Sequence, residues 1–541
     1  MWTKIMLIVA TGVGFIALIG VLYYRSDRQA GAAWTVKATP AKRVLSADEP
    51  LDSEYVLEVI GLGANLDSYR QGALWDALAR GTPYTLIRDM DPKHHPWQGG
   101  DKSDQSLARE IASVENALLD TPRYWGAPVF NAEPLCLDEK YTDRPESPQG
   151  GIAMRDVMMH MPVLTHRELS DRPDRIIEKV FAFFDQNPSV PYIILGSSDS
   201  STLRAQYSST RKRLDDGWYA PEQPDASAVF VLARRERVDA LRPFVFQDLE
   251  EPQADVDVLN RDGIARRVWL NYLALENKVP TRPEDASSSM HTGRRPTNTE
   301  WLADLEIFAK QFSGSEPSKV SFKLPNALNI RSKPTVSRKW TAMPWFPVPW
   351  NTEQLEQFDK LPTLGFLHRP VFVKMTDSDG KLLKQVGDRE AALREGWKAA
   401  LETLPEAQRA AGPSRVIVAT GGKSSQLVDF HGLLRKVAED GGPTFDPAHA
   451  NKFIDIDHRL GNTGAATFFI QTAIGVLGSY REGGVSAAFN LRDPGEASII
   501  FISPPPDEKR TNQQHPMGGD VFQNATVPLI DPRNYDEPVS Q

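Results

Sequence analysis

Two glycine-containing segments follow aliphatic runs, at positions where a nucleotide or phosphate site could begin. In "VIGLGANL", Leu66 stands where a dinucleotide-binding loop needs its third glycine for close packing of helix and strand. In "VATGGKSS", Ile417 stands where a phosphate-binding loop has its first glycine. We therefore predict an ordinary turn between strand and helix at both places, and no cofactor.

Other reactive residues occur without the partners that their chemistry requires. The segment "LGSSDSS" lacks the flanking glycines of a serine nucleophile elbow. His94 and His95 are adjacent in "DPKHHPW", and no helically spaced histidine or nearby cysteine completes a metal shell. Asp377 and Asp379 in "TDSDGK" lack the later glutamate of a calcium loop and favour a hairpin turn. The sequence predicts no metal site.

A segment rich in proline and aromatic residues, "MPWFPVPWNTEQ", carries Trp345, Phe346 and Trp350. The prolines prevent a regular helix or a central strand here, which places bulky side chains on irregular backbone. Such side chains either plug the core or form a contact surface, where tryptophan is enriched among the residues that dominate binding. The pattern favours the plug, but these three residues are also the best candidates for a partner-binding element.

Composition excludes several classes of function. The net charge of −9 and the pI near 5.7 argue against a nucleic-acid partner, and no basic stripe offsets them. The single cysteine, Cys136, excludes internal disulfides and any cysteine-based zinc site. With 541 residues, of which 40% are hydrophobic and 25% charged, the chain can build two or more folded cores.

The N-terminus predicts a membrane anchor. Twenty uncharged residues, Ile5 to Tyr24, are about enough for a helix that spans roughly 30 Å of hydrocarbon. Lys4 alone precedes them, whereas several basic residues follow, beginning with Arg25. Because Lys and Arg stay on the cytoplasmic side, we predict a single-pass inner-membrane protein with its bulk in the cytoplasm. A cleaved signal peptide, and a cytoplasmic or periplasmic location, are the alternatives.

Strands alternate with helices along the rest of the chain, which predicts an α/β protein with mainly parallel sheets. The segments "YIILGSSDSS" and "VIVATGGKSS" are similar to each other, which indicates two related halves. The predicted organisation is an anchor, a tether, an N-terminal α/β half, a linker, a C-terminal α/β half and a Pro-rich tail, at 1–30, 31–53, 54–280, 281–300, 301–503 and 504–541.

The segment "LGNTGAATFFIQTAIGVLGSYREGG" joins a polar start to a helix too apolar for a surface. It is similar to the asparagine segment of the initiating β-ketoacyl synthases, which have a thiolase-like fold. The resemblance implies that Asn462 is the residue that orients an oxyanion. In the same way "DPAHANKFID" resembles the histidine segment of that family, which would make His449 the catalytic histidine.

The thiolate that such enzymes need is missing from this pattern. Cys136 precedes two acidic residues, which would raise its pKa instead of activating the thiol. The resemblance therefore implies a thiolase-like fold, with buried central helices, that has lost its chemistry. Asn462 or Thr463 as the N-cap of a buried helix explains the same residues, and we favour this interpretation.

Taken together, the N-terminal span, "YVLEVIGLGANLDSYRQGALWDAL" and the C-terminal stretch from "LGNTG" to "EASIIFI" resemble a bacterial family that includes the type VI lipase adapter proteins. The resemblance implies a non-catalytic adapter that binds a phospholipase effector and helps to load it onto the secretion spike protein. The alternatives are an envelope-associated structural protein and an acyl-transfer enzyme that uses His449 and Asn462.

Overall fold

The computed structural model describes the chain between Val56 and Gln523, with gaps. The described residues are 56–122, 124–137, 161–209, 213–245, 271–272, 274–275, 278, 296–310, 340, 345–346, 349–350, 351–516 and 518–523. The predicted anchor and tether lie outside these residues, as do most of the predicted linker and the end of the tail. Within the described ranges, no helix combines the length and the apolar character that crossing a bilayer requires.

The described residues form twelve strands and twelve α-helices. The strands are β1 (Val56–Leu66), β2 (Tyr69–Arg70), β3 (Trp125–Glu133), β4 (Met161–Leu169), β5 (Tyr192–Asp199), β6 (Ala226–Ala233), β7 (Gly365–His368), β8 (Val371–Lys374), β9 (Arg415–Ala419), β10 (Phe453–Asp455), β11 (Ser486–Asn490) and β12 (Glu496–Ser503). The helices are α1 (Gly72–Arg80), α2 (Gly99–Leu118), α3 (Ile176–Gln186), α4 (Ser201–Tyr207), α5 (Asn298–Lys310), α6 (Thr352–Lys360), α7 (Val386–Leu401), α8 (Glu406–Ala411), α9 (Ser424–Glu439), α10 (Ile456–Arg459), α11 (Thr467–Glu482) and α12 (Asp507–Asn512).

The strands form one sheet of two halves with the same topology. The order is β10-β9-β11-β12-β7-β1-β6-β5-β3-β4, with β2 beside β1 and β8 beside β12. Leaving aside these two short strands, each half places its first strand beside its fifth, followed by its fourth, second and third. Only the fifth strand, β6 or β12, runs against the others of its half. The prediction of two related halves is confirmed. The predicted mainly parallel sheet is corrected, because four of the described strand pairs are parallel and seven are antiparallel.

The two halves meet where β1 and β7 pair antiparallel, from Val56 opposite His368 to Val59 opposite Gly365. The sheet is therefore continuous, whereas the sequence predicted more than one sheet. The strand pair at the junction is short, because β7 has only four residues. Helices must supply most of the remaining contact between the halves.

The helix α11 supplies much of this contact. All of its residues from Thr467 to Tyr480 are buried, and it packs against β11 and β12 of its own half and against β6 of the other. Helices that are apolar on every face are stable only when surrounded in this way. The prediction of a buried central helix is confirmed.

The glycines of "VIGLGANL" have a packing role within a strand. Instead of ending in a turn, β1 continues to Leu66, which corrects the predicted turn. A Cβ atom at Gly63 would overlap the carbonyl oxygen of Ser113, and one at Gly61 would overlap that of Ala117. Glycine at both positions lets the backbone of α2 lie directly on β1.

The sequence similarity that indicated two halves joins strands that are not equivalent. "YIILGSSDSS" contains β5, the fourth strand of its half, whereas "VIVATGGKSS" contains β9, the second strand of the other half. A buried strand followed by a polar turn and a helix recurs in any α/β protein, so these segments are similar for local reasons. The two halves are related by topology and not by this motif.

The aromatic segment lies mainly in the core. Phe346 is 1% exposed and Trp350 is fully buried. Trp350 lies 5.1 Å from the ring of Phe358, and Phe346 stacks on Tyr124 at 4.6 Å. The burial of Phe346 and Trp350 corrects the predicted partner surface and agrees with the plug. Trp345 is partly buried, and its ring meets the edge of Phe183 at 5.2 Å.

Replacing Trp350 with alanine should destabilise the fold without removing an accessible contact surface. We expect Trp350→Ala to lower the free energy of unfolding by about 3–5 kcal/mol, because it opens a cavity in the core. Trp218, which is 41% exposed, provides the control, and Trp218→Ala should change stability by less than about 1 kcal/mol. Urea unfolding of both variants measures the difference. Equal, small effects would contradict the plug.

Candidate binding cleft at the junction of the two halves

A cleft lies where loops from both halves meet. It has a volume of about 540 Å³ and is lined by Arg172, residues 421–423, Asp457, Asn462 and residues 492–494. Arg172 follows β4 of the N-terminal half, whereas the other residues follow strands or precede α11 in the C-terminal half. In α/β folds, ligands bind beyond the carboxyl ends of parallel strands, and the loops of this cleft follow such strands.

Arg492 is the cation that holds the floor of the cleft. Its Nη1 donates to the carbonyl oxygen of Gly464 and, at 2.7 Å, to the hydroxyl of Thr467. Burial lowers the pKa of Arg492, and the neighbouring Arg172 lowers it further. Because its N–H groups bind the residues at the start of α11, Arg492 mainly holds this part of the cleft in place and is less available to bind a ligand.

Asp174, two residues after the cleft-lining Arg172, connects the two halves. Its Oδ2 accepts from the Nδ2 of Asn490 at 2.7 Å and from the hydroxyl of Ser498 at 2.6 Å. Burial raises the pKa of Asp174, while Arg172 opposes the shift. A carboxyl group of the N-terminal half thus binds the last residue of β11 and the third residue of β12 in the C-terminal half.

Asp199, at the end of β5, bonds the start of the central helix across the junction. Its Oδ2 accepts from the backbone N–H of Ala465 at 2.6 Å, and Arg204 binds the same carboxylate. Burial raises the pKa of Asp199, and Arg204 opposes that shift. Gly464, with φ +54°, must be glycine for a second reason, because a Cβ atom there would overlap the Asp199 Oδ2.

The predicted helix cap is therefore corrected. Gly464–Ala466 form a short 3-10 turn, α11 begins at Thr467, and neither helix accepts a side-chain cap from its own N-cap residue. Asn462 instead closes the preceding turn, since its Oδ1 accepts from the Gly464 N–H at 3.1 Å. The exposed side chain of Asn462 lines the cleft.

The other residues of the implied catalytic set lie elsewhere. His449 is exposed, and its Nδ1 lies 3.0 Å from Asp446 Oδ2. Cys136 is buried, with 7% of its surface exposed. Neither residue lines the cleft that contains Asn462. The described cleft lining has no cysteine, histidine or serine, so its side chains can bind and orient a ligand but offer no thiol, imidazole or serine hydroxyl.

Of the remaining candidates, His94 and the Asp377 turn lie at the surface, whereas His95 is buried and its Nε2 lies 2.9 Å from the carbonyl oxygen of Asp89. His94 Nδ1 lies 2.6 Å from Asp89 Oδ2, on an exposed segment. The Asp377 carboxylate accepts from the backbone N–H groups of Asp379 and Lys381, both at 2.9 Å, which confirms the predicted turn. Among the described residues, no group of three or more acidic, histidine or cysteine side chains is placed to hold a metal ion.

A second cavity continues the cleft on the C-terminal half. It has a volume of about 240 Å³ and shares Lys423, Asp493 and Pro494 with the cleft. Its walls combine polar groups, among them the Arg389–Asp429 pair, with five large apolar side chains, namely Met375, Leu382, Leu383, Leu393 and Leu491. The two cavities together present a charged end and an apolar end.

A third, smaller cavity of about 140 Å³ lies within the N-terminal half. Glu110 lines it and accepts from the hydroxyl of Ser198 at 3.0 Å. Burial raises the pKa of Glu110 to about 7, and the nearby Glu133 contributes to this shift. The group is therefore partly protonated near neutral pH.

Sequence reasoning missed the residues that build the junction, because each is remote in sequence from its partner. Asp199 and Ala465 are separated by 266 positions, and Asp174 and Ser498 by 324. A local signal existed only for Arg492, which follows a strand in the polar hairpin "NLRDPG".

The contact between Asp199 and Gly464 can be tested with two glycine variants. Gly422 also has a positive φ, of 72°, but a Cβ atom there meets nothing within 4 Å. We expect Gly422→Ala to cost about 1–2 kcal/mol from backbone conformation alone. Gly464→Ala should cost a further 1–3 kcal/mol or so, because the new methyl group displaces the Asp199 carboxylate. Thermal or urea unfolding measures both, and equal costs would contradict the close approach.

Comparison with solved structures finds ketosynthases. An oxazolomycin ketosynthase domain from Streptomyces albus is 9% identical, with 85% of this chain and 98% of that chain covered and a TM-score of 0.38. A ketosynthase from module 1 of the bacillaene synthase of Bacillus amyloliquefaciens is 9% identical, with 84% and 77% covered and a TM-score of 0.37. TM-scores below 0.5 carry no inference about function.

Comparison with protein families is decisive. Residues 55–216 match the N-terminal model of the type VI lipase adapter protein Tla3, and residues 364–504 match its C-terminal model. The C-terminal match contains all five main strands of its half, and the N-terminal match contains four, since β6 begins after residue 216. Together the two matches cover more than half of the 541 residues. The chain therefore belongs to the type VI lipase adapter family.

Proposed function

We propose that this protein is a non-catalytic adapter that binds a secreted phospholipase effector and helps to load it onto a type VI secretion spike protein. The observation that supports the proposal most is the match of both halves to the adapter family. An adapter needs a stable scaffold with a surface that recognises its client, and the junction of the two halves offers such a surface.

The chemistry of the cleft also supports a binding role. Acyl transfer through an enzyme intermediate needs a nucleophile beside a base and a group that stabilises the oxyanion. Asn462 lies in the cleft, but His449 pairs with Asp446 on the surface and Cys136 is buried elsewhere. An acyl-transfer enzyme built on Asn462 and His449 is therefore the weaker candidate.

The proposed location follows from the residues before the folded part. The apolar run from Ile5 to Tyr24 would anchor the protein in the inner membrane, and the basic residues after it would hold the bulk on the cytoplasmic side. An effector made in the cytoplasm would meet the adapter there before secretion.

Capture of a client from cells tests the proposed function. We expect the full chain, tagged at its C-terminus and solubilised in mild detergent, to retain a phospholipase in near-stoichiometric amount, together with a spike protein. Mass spectrometry identifies the retained proteins, and the tag alone provides the control. Capture of no specific protein would favour an envelope-associated structural role. A stable acyl adduct after incubation with an acyl thioester would favour the enzyme.

A further inference from the structure

We propose that the client docks in the groove formed by the cleft and the adjoining apolar cavity, through a segment that places carboxylates beside aliphatic side chains. We call this feature the junction groove, and define it by Arg172, Lys423, Arg492, Leu382 and Leu393. The inference rests on the proposed function and adds to it the surface and the chemistry of recognition.

The apolar end of the junction groove is accessible to a partner. Leu382 is 49% exposed and lines the cavity beside the buried Leu393. Val428, 58% exposed, follows the cavity-lining Ser425 by three residues on the same face of α9. Large aliphatic side chains grouped around a cavity gain most when a partner covers them. An aliphatic side chain of the client would fill this end.

The charged end carries three cations, Arg172, Lys423 and Arg492, against two carboxylates, Asp457 and Asp493. Both carboxylates are already engaged, since Asp457 accepts from the Thr420 N–H at 2.6 Å and Asp493 lies 3.7 Å from Arg172. This end therefore favours carboxylates of a ligand. Lys423 is exposed, and its Nζ donates to the carbonyl oxygen of Arg492 at 3.2 Å. Among the described residues, no carboxylate forms an ion pair with Lys423, so its charge is available to a ligand. The chain as a whole carries a net charge of −9 and repels an acidic segment. The positive charge of Lys423 beside apolar side chains therefore makes this groove the favourable place for an acidic segment to bind.

The backbone adds to the preference for negative charge. Gly421 and Gly422 both have positive φ and lead directly into α9, whose N-cap residue is Lys423. The first turn of α9 contains no acidic residue, and no side chain caps it. The partial positive charge of this helix start therefore adds to that of the Lys423 ammonium. Carboxylate oxygens of a client would meet both.

The walls of the groove are fixed before a partner binds. Arg389 forms two hydrogen bonds to the Asp429 carboxylate, at 2.6 and 2.9 Å, which ties the start of α7 to α9. Arg492 holds the start of α11 on the other side. A groove whose walls are already ordered binds with a smaller entropic cost than a mobile surface.

Two groove variants and two matched controls test the inference on the full chain. Lys423→Glu reverses the charge and Leu382→Asp removes the apolar wall, and both side chains are exposed enough for the fold to persist. The controls are Lys398→Glu and Ile307→Asp, at positions 53% and 60% exposed that do not line the groove. Circular dichroism and thermal unfolding establish that all four are folded.

The affinity for the client captured by the wild-type chain is the readout. We expect each groove variant to weaken binding about tenfold or more and each control less than about twofold. Raising the salt concentration from about 0.05 to 0.5 M should weaken wild-type binding more than it weakens that of Lys423→Glu, because it screens exposed charges.

Three results would overturn the inference. Full affinity of the groove variants would place the client elsewhere and leave the adapter function intact. A dimer of the wild-type chain that Lys423→Glu dissociates would assign the groove to a second copy. If the wild-type chain binds no phospholipase, the proposed function fails and the inference fails with it.

Discussion

The structure depends on carboxylates of the N-terminal half that bind the C-terminal half. Asp199 accepts from the Ala465 N–H before the central helix, and Asp174 accepts from Asn490 in β11 and Ser498 in β12. Burying these groups is costly and becomes favourable only when each has partners in the other half. The two carboxylates therefore set how the halves meet, beyond what the short pairing of β1 and β7 could specify.

This constraint also forms the junction groove. The start of α11 and the hairpin that carries Arg492 lie next to the N-terminal half. The cleft lies between the loops of the two halves at this place. Most charged groups in the cleft already bind backbone or other side chains, so they hold its shape. Lys423, whose described hydrogen bond is to a backbone carbonyl, and the uncapped start of α9 are the groups available to a client. The site has the properties of a recognition surface, in keeping with the adapter family to which the chain belongs.

Sequence patterns predicted the features that depend on residues close together in the chain. The apolar run after Asn462 predicted a buried helix, and the alternation of strands and helices predicted an α/β protein. Two related halves were predicted from a sequence similarity that joins strands that are not equivalent. The continuation of β1 through Gly61 and Gly63 was not predictable from the sequence. These positions need glycine because the backbone of α2 packs directly on them, and α2 is distant in sequence. Nor was the function of Asp199, whose partner lies 266 positions away. Trp350 could not be assigned from sequence alone, because an aromatic residue among prolines is compatible both with a buried core position and with a contact surface.

Hydrogen exchange of the adapter with and without its purified client tests the central claim most directly, because it reports on the backbone of the junction groove without any substitution. The account predicts slower exchange at residues 421–426 and 492–495 in the complex, with little change around the exposed Ile307. Protection confined to other surfaces, with exchange of the groove unchanged, would contradict it.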